Sequence, residues 1–184
     1  MRFIVYGVGA IGGTIAASLA LAGRDVLGIA RGRMLDAIRA NGLLFRTPDG
    51  EQRVRFPCHG GPDEIDFRPD DVILLAMKSQ DTEAALLALR AAGVTAQAIV
   101  CAQNGVANER MALRFFPNVY GMTVMLPADF TVPGEVNCYG GPKRGVFDLG
   151  RYSSGADDTA EAIAGHLRAA SFAAFVLEDV MRSK

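Results

Sequence analysis

Three glycines, spaced Gly7-x-Gly9-x-x-Gly12, stand between a short β-branched and aromatic run, Phe3-Ile4-Val5-Tyr6, and an alanine-rich stretch, Ala10 to Ala22, stopped by Gly23. A run of that kind reads as a buried parallel strand and the stretch after it as a helix. Glycine at these three places has a physical purpose. Gly7 lets the chain leave the strand in a tight turn, Gly9 presents no side chain to a pyrophosphate, and Gly12 lets the helix sit close to the sheet. The amides at the helix start then face a site where the helix dipole favours negative charge. The segment Gly7-Val8-Gly9-Ala10-Ile11-Gly12 is therefore expected to bind a dinucleotide through its diphosphate. A glycine-packed turn that binds nothing is the competing reading, and the strand before and helix after it weigh against that.

The second strand, Val26 to Ala30, decides which dinucleotide. An NAD site places an acid at its end, about 20 residues along, to bond the ribose 2′-hydroxyl. This chain has Arg31 there, with Arg33 close behind and no neighbouring carboxylate to repel a phosphate. A guanidinium holds a 2′-phosphate in a fork of hydrogen bonds, so NADP is the expected cofactor and Arg31 its partner. Solvated loop charges are the plain alternative for both arginines.

Further strands are expected over Val72–Met77 and Ala98–Ala102, each followed by a helix, Gln80–Ala92 and Ala107–Arg114. Leu43–Arg46 and Gln52–Phe56 flank Pro48-Asp49-Gly50 and read as a hairpin. After Pro117 the pattern changes to strands at Val119–Leu126, Gly134–Tyr139 and Gly145–Leu149, an amphipathic helix at Asp157–Ala170, and a strand at Phe172–Leu177. The expectation is an α/β fold: a Rossmann-type doubly wound, mostly parallel sheet with a C-terminal strand extension, occupying residues 1–178. Residues 179–184 read as the start of a further helix.

Composition removes other classes. Lys plus Arg total 19 against 20 acids, which gives no basic surplus for nucleic acid or an anionic membrane. The run of uncharged residues from Phe3 to Gly23 is long enough for a membrane span, but its glycines break the helix such a span needs. The three cysteines show no paired spacing and the two histidines, His59 and His166, lie far apart, so cytoplasmic free thiols are expected rather than disulfides or a zinc site. Cys58-His59-Gly60-Gly61 reads as a loop rather than a nucleophile pair, His166 as a residue on the wet face of its helix, and Asp157-Asp158 as charges at a helix N-terminus.

With Gly-Ala-Ile-Gly-Gly at 9–13, Met77-Lys78-Ser79-Gln80-Asp81-Thr82 after the third parallel strand, Gln103-Asn104-Gly105-Val106 after the next, and Gly121-Met122-Thr123 and Pro133-Gly134-Glu135-Val136 beyond, the chain resembles the ketopantoate reductase (2-dehydropantoate 2-reductase) family over essentially its whole length. The resemblance implies reduction of a 2-keto acid by NADPH, the named case being ketopantoate to pantoate in pantothenate biosynthesis. It also implies that Lys78 meets the cofactor on its ribose and nicotinamide side and that Asn104 touches both nicotinamide and substrate. The residues support this separately, since both stand past the carboxyl ends of parallel strands, where open α/β sheets bind ligands. A lysine snorkelling from a strand end and an Asn-Gly turn are the respective alternatives.

The family has a second, all-helical domain that is absent from these residues, and its general-acid lysine lies in an aromatic-x-Lys-Leu motif. Asp179 to Lys184 resembles the run-up to that motif, so the acid is expected beyond Lys184 and no catalytic residue is assigned within the chain. Asp81 stands near where some members have a cofactor-contacting glutamine, a departure from the pattern at that contact. On this reading the full-length protein is an NADP-dependent oxidoreductase acting on a small-molecule 2-keto acid, and the present residues bind cofactor without catalysing. Apolar surface left open where the second domain would sit should lead to self-association, as a homo-oligomer, or to poor solubility. The alternatives are a paralogous reductase of another 2-keto or 2-hydroxy acid and a non-catalytic NADP-binding sensor.

Overall fold

The computed structural model describes all residues, 1–184. β1 (Arg2–Tyr6) leads through the glycine turn into α1 (Ala10–Leu21) and β2 (Val26–Ile29), followed by α2 (Gly32–Asn41), β3 (Leu43–Thr47), β4 (Gly50–Val54) and β5 (Cys58–His59). β6 (Asp71–Leu75), α3 (Thr82–Ala91), β7 (Ala98–Cys101), α4 (Asn108–Leu113) and β8 (Val119–Met122) form the second half. Then come β9 (Ala128–Asp129), β10 (Glu135–Cys138), β11 (Val146–Arg151), α5 (Asp158–Ala169), β12 (Ala173–Val176) and α6 (Val180–Ser183).

The main sheet has eight strands in the order β12-β11-β8-β7-β6-β1-β2-β5. β5 through β8 in that order are parallel to one another, and β11 and β12 are appended antiparallel to β8. β1 is buried on both faces, which is why its sequence carries no polar alternation. Phe3 and Val5 join Ile15 and Leu19 of α1 and Ile163 and Leu167 of α5 in one core layer. Ile4, Ile73 and Leu75 join Leu86 and Leu89 of α3 and Ala112 of α4 in the other. The helices thus change sides between β1 and β6, and that boundary is the switch point where a crevice opens beyond the strand ends.

The hairpin expected around Pro48-Asp49 is present, with Thr47 opposite Gly50. Its destination differs from a simple extension of the main sheet. β10 pairs in parallel with β3, and β4-β3-β10-β9 make a separate four-stranded sheet over the outer side of α1. A Cβ on Gly13 would lie 2.7 Å from Val136 Cγ2, so this glycine lets the small sheet lie flush on the helix. Squeezed between two sheets, α1 carries no charged residue on any face. No helix is long and apolar enough to cross a membrane.

Three further expectations are corrected. The strand from Val119 stops at Met122, because Thr123 turns its hydroxyl to accept from the Asp148 amide. Cys58-His59 is a strand, β5, held to β2 by Gly28 N–H to the Pro57 carbonyl and Ala30 N–H to the His59 carbonyl, both 2.9 to 3.0 Å. His166 is half-buried, its ring edge-on to Phe3 at 5.2 Å between centroids, because α5 packs over the start of β1. Asp157 does cap α5, accepting from the Ala160 amide at 2.8 Å, and its second oxygen accepts from the Tyr120 hydroxyl at 2.9 Å.

Candidate functional site

Gly7 leaves β1 at φ +102°, in the region that favours glycine, and a Cβ there would lie 2.7 Å from the Met77 amide nitrogen. A Cβ on Gly12 would collide with the Gly7 carbonyl oxygen and reach 3.0 Å from both Ala76 Cβ and Val5 Cγ1. These two glycines therefore seat the turn against the end of β6 and the helix against the strand. Val8 turns its side chain into the core and leaves only its backbone at the turn. Gly9 is the N-cap of α1 in extended geometry, with no side-chain cap and no acidic residue in the first turn. The amides of Ala10, Ile11 and Gly12 at this helix start are thus met by no capping side chain. A Cβ on Gly9 would touch only the Phe130 ring, at 3.5 Å. Main-chain amides without a capping side chain lie where the helix dipole is positive, a donor set whose chemistry suits an anion such as a diphosphate.

Phe130 was not legible as a site residue. It is 46% exposed and overhangs Gly9 from the loop after β9. Its one signal in the sequence is an aromatic between Pro127 and Pro133.

Arg31 follows β2 and its side chain is 83% exposed. Its NH2 donates to Asp81 Oδ2 at 2.9 Å, across 50 positions of sequence. The reading that no carboxylate stands near Arg31 is therefore corrected: none is adjacent in sequence, but the fold brings one over from the turn after β6. Tyr6, at the end of β1 beneath this pair, has its hydroxyl pKa raised, first by burial, with Arg31 opposing and Asp81 adding to the rise.

Lys78 and Asn104 are exposed at the ends of β6 and β7. A buried polar network ties their two loops together. Gln103 Nε2 donates to the Met77 carbonyl at 3.0 Å and to the Thr82 hydroxyl at 2.7 Å. Thr82 donates to Asn108 Oδ1 at 3.1 Å, and Asn108 Nδ2 donates to the Ser79 hydroxyl at 3.1 Å and the Asn104 carbonyl at 3.4 Å. Lys78 and Asn104 are thus carried by loops braced from below. Lys184 is not free to act in this crevice: its Nζ is buried, donating to the Cys101 carbonyl at 2.9 Å and ion-paired with the fully buried Glu109. Cys58 is a poor nucleophile, since burial pushes its thiol up to about 11, and the neighbouring His59 turns Nδ1 toward Glu64 at 3.5 Å.

Strand order, switch point and glycine turn define the class, a Rossmann-type α/β domain. The model of the family described as ketopantoate reductase PanE/ApbA matches residues 3–153, and the chain belongs to that family. It is 29% identical over 179 residues to a 2-dehydropantoate 2-reductase of Archaeoglobus fulgidus, covering 97% of this chain and 57% of that protein. The crystal structure of a 2-dehydropantoate 2-reductase from Geobacter metallireducens superposes with a TM-score of 0.88 at 26% identity, over 100% of this chain and 60% of that one. A D-mandelate dehydrogenase solved with NADH and anilino(oxo)acetate shares the fold, with a TM-score of 0.86 at 23% identity, over 100% of this chain and 59% of that one. The chain thus spans under two thirds of the length of these relatives.

Proposed function

We propose that these residues form the cofactor-binding part of an NADPH-dependent 2-keto acid reductase, with ketopantoate as the substrate its relatives' names suggest. One observation carries the reading: the uncapped start of α1 lies at the switch point, flanked by Arg31 on one side and by Lys78 and Asn104 on the other. The amides of Ala10, Ile11 and Gly12 receive the diphosphate, and Arg31 turns to the 2′-phosphate. Lys78 donates to the ribose on the nicotinamide side, and Asn104 orients the carboxamide and the keto acid. When bound, the reduced nicotinamide supplies the hydride that a 2-keto carbon accepts. The proton for the developing alkoxide comes from a positioned acid, worth about 10²–10⁴-fold, and no group in residues 1–184 is assigned that part. Cofactor binding without turnover is the behaviour expected of these residues alone.

The boundary after residue 178, with α6 as the start of a connecting helix, belongs to this reading, as does a cytoplasmic setting. Self-association would draw on exposed apolar side chains such as Val106, Tyr139 and Phe175.

Titration with NADPH and NADH, followed by nicotinamide fluorescence, tests the proposal. NADPH should bind, and Arg31→Ala should weaken it about 10- to 100-fold through loss of charged hydrogen bonds. Failure of both dinucleotides to bind would remove the assignment.

A further inference from the structure

The Arg31–Asp81 pair occupies a particular place. β2 and β6 flank β1 on its two sides, Arg31 follows β2, and Asp81 ends the short turn Ser79–Asp81 after β6. The ion pair therefore bridges from β2 to the turn after β6 beside the end of β1, where Tyr6 gives way to Gly7. The two partners are unequal. The arginine side chain is 83% exposed and able to swing, whereas the carboxylate is 33% exposed on the N-cap residue of α3. Asp81 is the more enclosed partner and Arg31 the more open one.

Resting on the dinucleotide reading above, we propose that Asp81 determines cofactor choice by holding Arg31 and by placing a carboxylate beside the ribose 2′ position. A 2′-phosphate that engages Arg31 arrives as a near-dianion within ion-pair reach of the Asp81 carboxylate and must take over the guanidinium's hydrogen bonds. A 2′-hydroxyl meets no such opposition and finds an acceptor of the type an NAD site provides. Arg31 favours NADPH, and Asp81 subtracts from that preference, so the margin over NADH is narrower than Arg31 alone would give.

The test is Asp81→Asn, which keeps the size, the hydrogen-bond acceptor and a good helix-capping residue while removing the charge. NADPH and NADH dissociation constants are measured for both proteins, with thermal melting as the fold control. The variant should melt with the parent, bind NADPH about tenfold more tightly, and bind NADH as tightly as before or more weakly. Asp81→Glu, which restores the charge, should return the NADPH-to-NADH affinity ratio toward the parent's. If NADPH binds and the ratio stays unchanged in Asp81→Asn, the dinucleotide reading stands and this proposal is overturned. If neither dinucleotide binds parent or variant, the dinucleotide reading fails and the proposal falls with it.

Discussion

Arg2 grips both carboxylate oxygens of Asp71, Nε to Oδ1 at 2.8 Å and NH2 to Oδ2 at 2.7 Å, with both side chains all but closed to solvent. The pair joins the first residues of β1 and β6, at the opposite end of the sheet from the crevice, and Asp71 takes a further bond from the Arg68 amide at 2.7 Å. Replacing Arg2 with methionine should cost about 3–5 kcal/mol, because the carboxylate stays buried without its counter-charge. The double change Arg2→Met with Asp71→Leu should recover much of that loss. Urea midpoints of the three proteins decide it, and a double variant as weak as the single one would contradict the account.

The glycines of the turn should separate by effect. Gly12→Ala forces a methyl into the Gly7 carbonyl and should destabilise by about 3 kcal/mol, at the top of the range for overpacking, because the obstacle is backbone. Gly9→Ala meets only the Phe130 ring and should cost at most about 1 kcal/mol as a poorer N-cap. Its effect belongs in NADPH binding, which should weaken more than tenfold. Melting curves and titrations side by side make the comparison, and equal stability losses would refute it.

His166 gives the fold a pH dependence with a defined sign. Burial holds its pKa below the ordinary value, helped by repulsion from Arg24 and the N-terminal ammonium, and its Nδ1 has no partner. The unfolded chain takes up the proton near pH 6.5 and the native chain only at lower pH. Stability is therefore full above about pH 6.5 and declines as pH falls through the native value. His166→Phe should lose this slope while keeping the contact with Phe3. Asp157, held below the usual carboxylate range by the Ala160 amide, Tyr120 and Arg151 against the opposing effect of burial, should add a second decline below about pH 4 in both proteins. Denaturation midpoints at pH 7.5 and 5.5 test the first claim; a variant as pH-sensitive as the parent would defeat it.

Asn108→Ala strips the shared partner of Thr82, Ser79 and the Asn104 carbonyl. It should destabilise by about 1–3 kcal/mol, since polar groups below the loops lose their bonds. Because Lys78 and Asn104 ride on those loops, cofactor affinity should fall as well, even at temperatures where the variant is fully folded. Unchanged NADPH affinity in the folded variant would show that the network braces the fold and not the site.

Much of this architecture was legible in the chain. Strands buried on both faces need uninterrupted apolar runs, and Val72 to Leu75 and Ala98 to Cys101 carry them. The glycine turn was legible because each glycine answers a separate steric demand. The small second sheet was not, since β10 finds its partner in β3 through tertiary packing on Gly13, and a two-residue strand such as β5 or β9 is too short to display a period. Within the site, Arg31 stood out by its position after β2 and Asp81 as a departure from the family's pattern, but their pairing did not, because an ion pair across 50 positions leaves no local trace. Phe130 escaped for a related reason: a ring above the turn looks, in sequence, like any loop aromatic.

Lys184 and Asn104 end up on the same lever. The Lys184 ammonium is moored to the carbonyl of Cys101, the last residue of β7, and Asn104 hangs from that strand three residues later. One ammonium thus fastens the molecule's last turn to the strand that carries Asn104 to the mouth of the crevice.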